Sequence, residues 1–556
     1  MKTFPTKSVK NSAPHTTGAK TSERNSSRKA MFAVLVCLFL CGISLPASAQ
    51  DDPPSRVARL NMAQGAVSFE PSGEQDWVAA DYNRPLTTGD SLWADQDSRG
   101  ELHIGSTSLR LSAQTGLTFL NLNDRTVQIQ LAQGSLEVTL RQVDSDDAYE
   151  VDTPNIALSL LQPGRYRIDV DPEGQTTAVS VLDGQGEVTG GGSSYNLNSG
   201  QRGSFSGTDT LNYDVTNVER PDDFDNWCQS RDDAEDRSQS ARYVSSDVTG
   251  YEDLDANGQW EDVPDYGEVW VPSAVPAGWA PYHYGHWVWI EPWGWTWVED
   301  EPWGFAPFHY GRWAFIGARW AWVPGPRVVR PVYAPALVVF VGTGPNIAWF
   351  PLGPREVFVP AYHCSPRYVQ FVNVTNTRVT NVEVTNVYQR NVNVTRITYV
   401  NENVRNSVTA VSHDTFVNAR PVAREVVHVD PGQVHASAVV TAPPVAPQRQ
   451  SLVAADARPA PRPPARVVTR PIVAKLPTPP PAVPFERRQP ALAAQPGRPL
   501  PPEKVDQLRQ PGEEYNRPTV RYTPPPTRNV NPPRAPAPKP HEEKPSKPSK
   551  PGKPHR

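Results

Sequence analysis

Few residues of this 556-residue chain stand in spacings that suggest chemistry. Glu299, Asp300 and Glu301 are adjacent carboxylates. A glycoside hydrolase needs two carboxylates facing each other across a cleft, about 5–9 Å apart, and neighbours on one turn do not supply that. His283, His286 and His309 could ligate a metal. However, His283 and His309 are copies of one repeated position, which favours local structural hydrogen bonds. Asp253-Leu254-Asp255-Ala256-Asn257-Gly258 opens like a calcium loop. The last position of such a loop, where a bidentate glutamate belongs, is Pro264, so an ordinary turn is expected instead. Neither G-x-S-x-G, nor H-E-x-x-H, nor a phosphate-cradling glycine loop occurs. These features argue against an enzyme: no catalytic residue, metal site or cofactor is expected.

The aromatic residues are the stronger candidates for binding. Of 16 tryptophans, all but Trp77, Trp93 and Trp227 fall between Trp260 and Trp349. In this stretch Trp279-Ala280-Pro281-Tyr282-His283-Tyr284-Gly285-His286-Trp287 returns as Phe305-Ala306-Pro307-Phe308-His309-Tyr310-Gly311-Arg312-Trp313. Trp295-Thr296-Trp297-Val298 likewise returns as Trp320-Ala321-Trp322-Val323. Alternating aromatics punctuated by Gly and Pro read as β-hairpins. A lone hairpin is marginal, so the copies should stack on one another. Trp287, Trp289, Trp295, Trp297, Trp313, Trp320 and Trp322 are the candidate platform for sugar rings or an extended peptide. The competing reading, expected to hold for most of them, makes the same rings a hydrophobic core.

These residues need a scaffold, and the pattern of the chain is all-β. From Val57 to about Ser206, apolar and polar residues alternate, as in Val127-Gln128-Ile129-Gln130-Leu131 and Leu136-Glu137-Val138-Thr139-Leu140. Turn residues such as Thr88-Gly89-Asp90, Gln133-Gly134 and Asp183-Gly184 separate them. Many short half-buried strands make a β-sandwich or roll over residues 57–206. The order of Gly89-Asp90-Ser91-Leu92, Ser98-Arg99-Gly100-Glu101-Leu102, Gln133-Gly134-Ser135-Leu136, Val151-Asp152-Thr153-Pro154 and Asp183-Gly184-Gln185-Gly186 resembles the FecR-type periplasmic domain. The tryptophan-rich region 251–365 is similar to the Trp-Gly repeats found behind such domains in exported Gram-negative proteins. The best-known FecR proteins are membrane regulators of sigma factors, so the resemblance implies a β-domain and offers a signalling role as an alternative.

The remaining segments are simpler. Residues 207–250 form an acidic linker in which Phe224, Trp227 and Cys228 could dock one helix, with its acidic face in water. Residues 366–424 alternate Val with Asn and Thr and read as short strands. Much of the content of 61 prolines lies beyond residue 425, and the segment 425–556 is expected to be disordered. At the other end, Arg28-Lys29, an apolar run from Ala30 to Leu45, and Ala47-Ser48-Ala49 give a secretory signal over residues 1–49, cleaved before Gln50. Of the 4 cysteines, Cys228 and Cys364 lie outside that signal and either form a disulfide or stay as two buried thiols. The net charge of −5 does not point to nucleic acid. The resulting expectation is an exported, non-catalytic protein of the periplasm or outer envelope that binds cell-wall glycan or an envelope protein. It would meet a membrane only through an uncleaved signal. The alternatives are a FecR-like signalling regulator and a cell-wall hydrolase.

Overall fold

The computed structural model describes residues 52–389, 398–455, 457–510, 519–523 and the backbone of 529–530. The signal segment and the terminal Lys-Pro alternation lie outside the described residues.

One 15-residue strand, Thr126–Leu140, organises the first domain. Its first half pairs with Thr115–Leu122 and, in parallel, with Ala148–Asp152. Its second half pairs with Thr107–Leu111 and Gly164–Val170 in the other sheet. The strand therefore belongs to both layers of the sandwich. Gln133-Gly134 is not a turn but the bend where the strand changes sheets. Gly134 has φ +95°, and a Cβ there would lie 2.6 Å from the Thr115 Cα, so the crossing requires glycine. Leu102, Leu131, Leu136, Val138, Ile168 and their neighbours fill the space between the sheets.

The alternation is as expected, but its polar half is not in water. Glu101, Arg110 and Glu137 on one outer face, and Gln128, Gln130 and Asp152 on the other, are all buried. Other parts of the chain cover both faces. The helix Asp223–Asp236 lies over the first, and the Pro-rich segment covers the second.

The tryptophan-rich region folds as the expected hairpins. Gly285–Ile290 pairs with Gly294–Glu299, setting Trp287 opposite Trp297 and Trp289 opposite Trp295. Arg312–Ile316 pairs with Arg319–Val323, setting Trp313 opposite Trp322. The repeat is visible in its glycines. A Cβ on Gly285 would lie 2.2 Å from the Val298 carbonyl oxygen, and one on Gly311 2.6 Å from that of Val323. The copies also bond to each other: the Tyr282 hydroxyl donates to the Phe308 carbonyl at 2.7 Å.

Two expectations fail. The Val/Asn/Thr segment 366–424 is not a run of strands. Its described residues form helices Pro366–Val374, Asn381–Gln389 and His413–Val417, with one short strand at Thr409–Ser412. Ser365 caps the first helix by accepting from the Tyr368 N–H at 3.1 Å. Val369 and Val372, three apart, then share the buried side. Asn373 is sealed beside them because its amide donates to the Phe358 and Val369 carbonyls at 2.8 and 2.9 Å. The Pro-rich segment is likewise not disordered from 425 onward, since it is folded against the body through residue 510 wherever it is described. Its apolar residues are too sparse to make a core of their own, but several enter one already built. Val467 joins Trp77 and Trp93, while Phe485 and Leu492 join the aromatic cluster.

Candidate functional site

The aromatic residues proposed as a platform are core residues. Trp287, Trp289, Trp295, Trp297, Trp313, Trp320 and Trp322 are 0–5% exposed. Trp287 packs edge-on against Trp297 and Trp349 and stacks on Phe416, with centroids 5.3–5.4 Å apart. Trp289, Trp295, Trp297, Trp313 and Trp322 also use their indole N–H groups internally. Trp313 donates to the Pro307 carbonyl at 2.9 Å, Trp322 to that of Tyr310 at 2.8 Å, and Trp297 to Glu299 Oε2 at 2.7 Å. A ring buried on its faces and bonded at its nitrogen has nothing left to offer a ligand. The platform is therefore corrected to a core: Phe340, Trp349 and Phe416, from later in the chain, pack against the rings of the first hairpin.

The polar candidates do not converge either. His309 Nδ1 lies 2.8 Å from the Ala334 carbonyl oxygen, and burial pulls its pKa down to about 3, so the ring is neutral. His286 faces Asp300 at 3.6 Å and His283 faces Thr409 at 3.3 Å. Asp253 pairs with Arg59, while Asp255 accepts from the Gln239 and Ser240 N–H groups at 2.6 and 2.9 Å, so the calcium-like stretch is a structural turn. Glu299 is sealed against Trp297, and burial raises its pKa well above the ordinary carboxylate value. Cys228 and Cys364 are separate buried thiols rather than a disulfide. Burial raises both pKa values, that of Cys364 to about 12, which keeps the thiols protonated and unreactive.

Chemistry does converge at a place the sequence reading passed over, between the sandwich and the acidic helix. Asp222 caps this helix by accepting from the Phe224 and Asp225 N–H groups, and Asp225 returns the bond. Phe224, Cys228 and Asp232, four residues apart, form its buried stripe. Asp232 and Glu235 sit near the negative end of the helix dipole, an unfavourable place that needs cations nearby. The sheet supplies them. Arg110, fully buried, bonds Glu101 at 2.7 Å, Asp232 at 2.8 Å and Glu235 at 2.9 Å. Arg141 adds Glu235 at 2.8 Å, and Arg231 reaches back to Glu101 at 2.7 Å.

His103 stands at the centre, 3.4 Å from Glu101, 3.0 Å from Glu235 and 2.5 Å from Glu252. Burial alone would lower its pKa, but Glu252 and Glu235 outweigh that and raise it well above the ordinary value. Glu101 is held well below the carboxylate range: burial opposes this, and His103, Arg231 and Arg110 overcome it. Glu235 resists burial in the same way and falls to about 2. Arg59 extends the cluster to Asp253 at 2.5 Å and to the Pro302 carbonyl at 2.9 Å, inside the tryptophan-rich region. Glu101, His103 and Glu235 present ligand atoms within 4.8 Å of one another, a spacing that suits a cation. Guanidinium groups already neutralise both carboxylates, however, so the arrangement is an ion-pair seam. The clue in the sequence was the placing of Glu101, His103, Arg110 and Glu137 at alternate strand positions, ahead of an equally charged helix.

The fold and this seam define an all-β protein built from a sandwich and an aromatic hairpin domain closed on each other. Residues 90–186 match the FecR protein family, and residues 251–356 match a family of unknown function, DUF6600. The chain thus carries a FecR domain followed by a DUF6600 domain. No curated protein matches it. Two crystal structures of a protein described as an anti-sigma factor from Parabacteroides distasonis ATCC 8503, at 2.50 and 1.65 Å resolution, are similar at 16% and 15% identity. Each match covers 23% of this chain and 60% of that one, with a TM-score of 0.21. Among the described residues, no helix is long and apolar enough to cross a membrane.

Proposed function

We propose that this chain is a FecR-type regulatory protein of the cell envelope, non-catalytic, acting through contact with another envelope protein. The observation that carries the reading is the FecR match over residues 90–186, on a domain whose strands are complete on both sides of that match. The chemistry of the molecule supports it. The charged cluster is consumed in ion pairs, the aromatic rings are consumed in packing, and the adjacent carboxylates Glu299, Asp300 and Glu301 do not face one another across a cleft. What the molecule offers outward is shaped protein surface. In a regulator, the apolar run Ala30–Leu45 would hold the chain at the inner membrane.

The second reading keeps the envelope location without signalling, and Ala47-Ser48-Ala49 favours it as a cleavage site. Fractionation of cells producing the C-terminally tagged chain, with N-terminal sequencing, separates the two. The regulator should be found full-length in the inner membrane, and deleting it should change transcription dependent on one sigma factor. A soluble periplasmic species beginning at Gln50, with transcription unchanged by deletion, would leave only an envelope-binding role.

A further inference from the structure

The second outer face of the sandwich is covered by a strand that comes from far along the chain. Residues Ile472–Ala474 lie fully buried across it, bracketed by Pro471 and Pro477, which keep the segment extended and short. The Val473 N–H donates to the Thr153 carbonyl at 2.8 Å in an antiparallel bridge. The Lys475 and Leu476 N–H groups both donate to Glu150 Oε1, at 3.0 and 2.8 Å. The Leu476 carbonyl accepts from Gln128 at 3.1 Å.

Both ends are anchored by basic side chains. Arg470 donates to the Ala132 and Pro172 carbonyls at 2.8 and 2.7 Å and lies over Gly174, where a Cβ would meet its Cδ at 2.7 Å. Lys475 pairs with Glu187. The face thus reads a backbone, three apolar side chains and two basic ones. Main-chain hydrogen bonds for affinity and side-chain pockets for specificity are the parts by which extended peptides are recognised.

We propose that this face is a recognition groove for an extended partner peptide of the pattern basic–Pro–apolar–apolar–apolar–basic, and that residues 470–476 occupy it as a built-in competitor. Glu187 matches the Lys475 end of the segment, and the Ala132 and Pro172 carbonyls receive the Arg470 end. Gln128 and Glu150 bond main-chain atoms, so they would accept any sequence of that shape. The groove is a property of the FecR domain and does not depend on whether the chain signals.

The test uses the full chain and a labelled synthetic peptide of residues 468–478. Two substitutions lie in the competitor and leave the groove intact: Val473→Asp, and Lys475→Glu at a side chain 37% exposed. Hydrogen exchange at the residue 473 amide reports which variant has released its segment. The released variant should bind the peptide at least tenfold tighter than wild type does, and a peptide carrying Glu in place of Lys475 should bind neither. A released variant that gains no affinity overturns the proposal. So does failure of both substitutions to release the segment, because the contacts described here would then not be what holds it.

Discussion

The two regions solve the same problem, covering a sheet, by opposite means. The aromatic domain buries tryptophan rings whose only polar atom is one N–H, which in Trp295, Trp297, Trp313, Trp322 and Trp349 donates to a carbonyl or carboxylate close by. The seam buries formal charges, where each carboxylate has at least one cation in contact and His103 has three carboxylates around it. Burying apolar rings is favourable in itself. Burying ion pairs roughly breaks even, because desolvation cancels much of the attraction. The difference assigns roles: the rings supply the stability, and the charges decide which face of the helix meets which face of the sheet.

The sharpest way to break that comparison is Trp297→Ala. It opens a cavity and removes the donor that Glu299 relies on. A loss of about 3–5 kcal/mol is expected in chemical unfolding. Arg110→Ala should come next, at about 3 kcal/mol, because it removes the one fully buried cation that Glu101, Asp232 and Glu235 share. Replacing Arg110, Glu101, Asp232 and Glu235 together by apolar residues of similar size should recover most of that loss while weakening the unique docking of the helix. If Arg110→Ala is silent, the seam is not closed as described.

Protonation separates the regions more finely. The His103 pKa is raised, so its contribution is complete below the ordinary value of 6.5 and is lost as pH rises through the folded-state value. The His309 pKa is lowered to about 3, so its contribution is present above 6.5 and is lost as pH falls from 6.5 toward 3. Unfolding free energies measured from pH 4 to 9 should therefore lose part of their alkaline slope in His103→Gln and part of their acid slope in His309→Gln. Each proton contributes up to about 1.4 kcal/mol per pH unit.

The smallest effect should come from the Arg319–Glu261 pair on the rim of the aromatic domain, where Arg319 is 55% exposed. Arg319→Ala should cost under about 1 kcal/mol, and added salt should erase the difference.

The sequence revealed most where physics is local. Strand alternation, the hairpin repeat and the docked helix at Phe224 and Cys228 were all readable from spacing. It misled wherever a distant segment decided the outcome. Gln128 and Glu101 look solvent-facing from their own strands, yet the Pro-rich segment buries one and the acidic helix buries the other. Val369 and Val372 fit a strand or a helix equally until Ser365 caps the turn and Asn373 finds its partners. Ile472 and Phe485 lie in a composition that cannot fold alone, but the folded body receives both. The candidate platform failed for the same reason. A hairpin shows two faces in its sequence, and only the remainder of the chain determines whether the second stays open.

The central claim, that the tryptophans hold the molecule together and do not meet a ligand, is most directly tested by quenching their fluorescence. Of the 16 tryptophans, only Trp227 and Trp260 are partly exposed. Acrylamide should therefore quench a small fraction of a blue-shifted emission, and purified cell-wall glycan should leave that fraction unchanged. Red-shifted emission open to acrylamide, and protected once glycan is added, would contradict the account and restore the aromatic platform.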